Sequence, residues 1–111
     1  LIEEHFDKAL QYSEKHLESA PDDIQARLIQ GQAMIGLSRT ADAIAIFMRI
    51  LVDSPDCLDA IFHLGNVFLG MGDMHKALEY YEKLLAIDSD YPLVKENIDS
   101  IKAKLHNSDN D

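Results

Sequence analysis

Tryptophan is absent from this chain of 111 residues, and glycine (5) and proline (3) are scarce. That scarcity argues against an all-β fold, which needs turn residues every ten or so positions. Cys57 is the single cysteine, so no internal disulfide and no Cys-rich zinc site is available. A lone thiol favours a reducing, cytoplasmic compartment. No apolar run approaches the roughly 18 residues of a membrane span. The densest apolar segment, 41–52, is interrupted by Asp42 and Arg49, so membrane insertion is not expected. Positive charge is short as well: 10 basic against 20 acidic residues leave a net charge of −10. A surface that neutralises phosphates must be basic, which argues against nucleic acid and anionic membranes as partners. A protein or peptide of apolar or basic character fits better. The chain starts at Leu1, with no Met and no signal-like segment. It reads as an excised or processed piece, which leaves an upstream targeting signal open.

What is present is a repeat. Pro21 and Pro55 are 34 apart (55 − 21), as are Gly31 and Gly65 (65 − 31). Ala9, Ala43 and Ala77 keep the interval (43 − 9, 77 − 43), and so do Phe47 and Tyr81 (81 − 47). Within each unit the apolar residues recur at helical spacing. Ile24, Leu28, Met34, Ile35 and Leu37 form one set, and Leu58, Ile61, Phe62, Leu64, Val67, Phe68 and Leu69 the next. Ser38-Arg39-Thr40 and Gly70-Met71-Gly72-Asp73 break each pattern in the middle. Gly tolerates the left-handed backbone that ends a helix, and Thr40 or Asp73 is expected to cap the next one. Pro21 and Pro55, each followed by Asp, separate the units.

Helix, tight turn, helix and Pro-Asp turn at this period resemble the tetratricopeptide repeat, with its pattern W-x2-L-G-x2-Y, A-x3-F, P. The first full repeat matches through Gly31, Met34, Ala43, Phe47 and Pro55, and the second through Leu64-Gly65, Phe68, Ala77 and Tyr81. The Trp slot holds Arg27 and Ile61, and Ser89 replaces the last Pro. The resemblance implies an all-α, right-handed solenoid of antiparallel helix pairs with about six helices. It divides a single domain at 1–106 into an N-terminal single helix (1–21), two repeats (22–55 and 56–89) and a capping helix (90–106), before a polar tail (107–111). Small residues have a stated purpose in this scheme. Gly31 and Gly65 allow close approach of a first helix, Ala43 and Ala77 allow the crossing, and Phe47 and Tyr81 fill the remaining space. The first helix departs from the pattern, with Ser13 and His16 at the slots of Phe47 and Ile50.

In this family the first helices line a concave face that takes the ligand. By register the groove would be lined by Gln25, Leu28, Ile29, Gln32 and Ile35, then Asp59, Phe62, His63, Asn66 and Leu69, then Leu93 and Asn97. Relatives that clamp acidic chaperone tails use Lys, Asn and Arg in such slots. None of these positions is Lys or Arg, so an acidic chaperone tail is not the expected ligand. An apolar groove with polar neighbours suits an extended peptide or an amphipathic helix. A second surface is the stripe Ala41, Ala45, Met48 and Val52, where the later repeat has Glu79 and Glu82 in register with Ala45 and Met48. A helix apolar nearly all round is normally buried on both sides. This stripe is read as a self-association or scaffold surface, unless the N-terminal helix covers it.

Chemical signals are weak. The five histidines form no H-x3-H or H-E-x2-H pair. Asp59 and His63 share a helical face, but a plain polar pair at that spacing is far commoner than a general base. Asp22-Asp23 lacks the spacing of a calcium loop, and no Gly-rich phosphate loop exists. The reading is a non-catalytic protein-interaction module, with no metal and no cofactor. The alternative is a structural segment of a larger scaffold or a homo-oligomer.

Overall fold

The computed structural model describes residues 2–109. Six α-helices and no strand occur among them. They are α1 (Ile2–Ser19), α2 (Ile24–Gly36), α3 (Thr40–Asp53), α4 (Leu58–Gly70), α5 (Met74–Ile87) and α6 (Val94–Asp109). The chain divides into two compact units, Leu1–Ala60 and Ile61–Asp111, with the boundary inside α4.

In the first unit, α1 turns Phe6, Leu10, Ser13 and Leu17 inward, a 4-3-4 spacing along one helical face. The Phe6 ring covers Gly36 so closely that a β-carbon there would lie 2.5 Å from it. Ser13, in the Phe47 register, is fully buried, and its hydroxyl returns to the Leu10 carbonyl at 2.9 Å. His16, in the Ile50 register, is exposed instead and meets Asp23 at 2.8 Å. Asp23 caps α2 through Ala26 N–H at 3.2 Å. The His16 hydrogen bond, then the Ala26 N–H, holds the Asp23 carboxyl below its ordinary value.

α2 and α3 run antiparallel, because early α2 meets late α3. Arg27, in the Trp slot, is buried and donates to Asp53 at 2.7 Å, to the Pro21 carbonyl at 2.9 Å and to Asp22 at 3.2 Å. One guanidinium thus joins the inter-repeat turn to the end of α3. Ala43, Phe47 and Ile50 of α3 are fully buried.

The turn between α2 and α3 places Ser38 at φ 62°, and Gly72, 34 residues on (72 − 38), takes φ 82° in the α4–α5 turn. Both repeats therefore stop their first helix with one left-handed residue. Expectation and structure differ at the next position. Thr40 lies inside α3, and Arg39 takes the N-cap place with no side-chain cap bond. Asp73, in the same register, does cap α5, accepting from Lys76 N–H at 3.1 Å.

In the second unit Ala77, Tyr81 and Leu84 of α5 are fully buried. Phe68, late in α4, stacks on Tyr80 at 5.6 Å and lies under the Lys76 ammonium at 5.4 Å. α6 contributes Val94, Ile98 and Ile101 to the core. It runs past 106 to Asp109, so helix takes up residues 107–109 of the expected polar tail. Asn110 and Asp111 lie outside the described residues. No helix among the described residues is long and apolar enough to cross a membrane.

Candidate functional site

On the first unit, the register-predicted groove positions of α2 divide by one residue of rotation. Gln25, Ile29, Gln32 and Ile35 are exposed, whereas Leu28 is 4% exposed and belongs to the core. Asp59 is exposed near the start of α4. Gln25 and Ile29 share a cavity of about 150 Å³ with Tyr12, Ser13, His16, Asp23 and Ala26. Tyr12, 71% exposed, was not legible as a lining residue, because α1 has no place in the family's groove pattern. Its signal was a large aromatic one position before the inward Ser13.

On the second unit, α4 and α6 bring together side chains distant in sequence. Phe62 and His63 are half-buried, with ring centroids 6.1 Å apart. The Phe62 ring also lies 5.2 Å from Tyr91 and 6.4 Å from Tyr81. The Tyr81 hydroxyl donates to Asn66 Oδ1. Burial pushes the Tyr81 hydroxyl above its ordinary value, against a smaller opposing hydrogen bond with the Asn97 side chain. With its oxygen engaged by that hydroxyl, Asn66 presents its amide nitrogen as a donor. Asn66 is exposed, Asn97 half-buried and Leu69 half-buried. Leu93 stands just before α6, 68% exposed at φ 67°. Tyr81 was read as space-filling only. The clue was the hydroxyl that distinguishes it from Phe47, since a buried O–H needs a partner.

Ala41, Ala45, Met48 and Val52 of α3 are all exposed, so α1 does not cover the stripe. Among the described residues no three His, Cys, Asp or Glu side chains gather as a metal site.

Residues 58–91 match the family model of the tetratricopeptide repeat. Residues 58–91 are thus a tetratricopeptide repeat. The chain superposes on the Sgt2 TPR domain from Aspergillus fumigatus with a TM-score of 0.84, at 20% identity, over 97% of this chain and 73% of that one. The first TPR of Spaghetti (RPAP3), bound to the HSP90 peptide SRMEEVD, gives a TM-score of 0.83 at 16% identity, over 92% and 81%. These likenesses concern the fold. In sequence, the repeats are similar to DnaJ protein P58IPK homolog A of Oryza sativa subsp. japonica, 30% identical over 91 residues. Homolog B of the same organism is 28% identical over 101 residues. The chain covers 81% and 90% of itself in these matches but spans only 19% and 21% of the two relatives' length.

Proposed function

We propose that this chain is a non-catalytic interaction module that holds a segment of another protein along its first helices. The observation that carries the reading is the hydrogen bond from the buried Tyr81 hydroxyl to the exposed Asn66. With its oxygen engaged, Asn66 offers its amide nitrogen as a donor to a peptide main chain. Phe62 and Leu93, on the same unit, offer apolar surface for its side chains. On α2 the exposed positions Gln25, Ile29, Gln32 and Ile35 are all uncharged.

The favoured ligand is an apolar or basic peptide. The RPAP3 domain is bound to an HSP90 peptide ending in EEVD, an acidic tail. In this chain no Lys or Arg stands among the proposed groove positions, and the net charge of −10 opposes an acidic ligand.

The test is calorimetric titration of the intact chain with peptides from a selected library, alongside SRMEEVD. The expected ligands are apolar or basic, and Phe62→Glu or Asn66→Ala weakens them by about tenfold or more. Ligands that bind both variants unchanged, or tighter binding of SRMEEVD, would sink the reading.

A further inference from the structure

α3 has two apolar faces, and only one is used inside the chain. Ala43, Phe47 and Ile50 are fully buried, while on the opposite face Val52 is 74% and Met48 37% exposed, with Ala41 and Ala45 exposed beside them. The exposed residues follow gaps of 4, 3 and 4 (45 − 41, 48 − 45, 52 − 48). This is the spacing of the a/d seam in a two-helix coiled coil. The same register in α5 reads His75, Glu79, Glu82 and Ala86, so the seam is particular to α3.

We propose that two copies of this chain associate through α3, with the two helices antiparallel across a two-fold axis. In that arrangement a positions meet d positions. Ala45 faces the partner's Met48, and Ala41 faces the partner's Val52. Every layer then pairs a small side chain with a large one. A parallel pairing would set Ala on Ala at one end and Val on Val at the other, and could not close evenly. Charge follows the same symmetry. Antiparallel helices pair e with e positions, which sets Asp42 against the partner's Arg49, twice. These two side chains are 55% and 68% exposed. Within the chain Asp42 meets Arg39 at 3.0 Å and Arg49 approaches Asp53 at 3.9 Å. Exchange among such exposed pairs costs little. The other edge of the seam carries the half-buried Ile44 and Leu51, which extend the apolar contact.

A helix of 14 residues is about 21 Å long. Two of them bury less than the roughly 1,200 Å² of a standard interface, so the dimer is weak and concentration-dependent. None of the residues proposed to hold a peptide lies on α3, and the proposal stands apart from peptide binding.

Sedimentation equilibrium of the intact chain, from low micromolar to millimolar concentration, tests it. The mass rises toward two chains for the parent protein and stays at one for Met48→Glu/Val52→Glu, with helix content unchanged by circular dichroism. Asp42→Arg or Arg49→Asp alone weakens the dimer by about three- to tenfold, and the two together restore it. A monomer at every concentration, or a dimer indifferent to Met48→Glu/Val52→Glu, overturns the proposal. Single reversals without recovery in the double variant overturn the antiparallel arrangement.

Discussion

The Phe47 ring occupies the space that a β-carbon on Gly31 would need: such a carbon would stand 2.6 Å from Cζ. Gly65 meets Tyr81 in the same way, also at 2.6 Å. Phe47 and Tyr81 are fully buried, so neither ring has room to move aside. Gly31→Ala is therefore expected to destabilise by about 1–3 kcal/mol through overpacking, despite Ala being the better helix former by about 1 kcal/mol. Urea unfolding followed by circular dichroism measures it. A gain in stability would refute the packing argument.

The uncapped start of α3 gives the opposite expectation. Arg39 holds the place that Asp73 holds in the next repeat, without a side-chain cap bond. Arg39→Asp should stabilise by about 1 kcal/mol, less a few tenths for the exposed Arg39–Asp42 pair it removes. Ser38→Gly, at the left-handed position filled by Gly72 in the second repeat, should add roughly 0.5–1 kcal/mol. Thermal melts of the two single variants and the double would check both.

Acid should loosen the first unit by a defined route. The hydrogen bond from Arg27 holds the Asp53 carboxyl below its ordinary value against desolvation, helped by the charges of Arg27 and Arg49. A carboxylate with a lowered folded-state pKa contributes stability that is present above its unfolded value. That stability is lost as the pH falls through the folded value. Asp23, lowered by His16, behaves with the same sign. The stability difference between the parent chain and Asp53→Asn should thus be largest near neutral pH and shrink as the pH falls through the carboxylate range. A pH-independent difference would show that the carboxylate charge is not what matters.

Tyr81→Phe separates the hydrogen bond to Asn66 from the packing. The ring contact with Gly65 survives, while Asn66 and Asn97 lose their common partner. Stability should fall by only about 1 kcal/mol, while a peptide held through the Asn66 amide should bind several-fold more weakly. Unchanged affinity would mean that the orientation of the Asn66 amide does not matter to the ligand.

The sequence by itself determined the 34-residue period and the helical class. Helical spacing and turn chemistry act over a few residues, so they can be read along the chain. It also carried the apolar stripe of α3, since four residues on one helix share a face wherever that helix lies. Tertiary structure decided the rest. Register alone could not say that Leu28 turns into the core while Ile29 next to it stays exposed. Nor could it say that α1 leaves the stripe open, that Tyr12 borders a cavity with Ile29, or that one hydroxyl joins Asn66 to Asn97. Each of these depends on where helices distant in sequence come to rest against one another. Hydrogen bonds and burial are settled within a few ångströms, at a precision that periodicity does not carry.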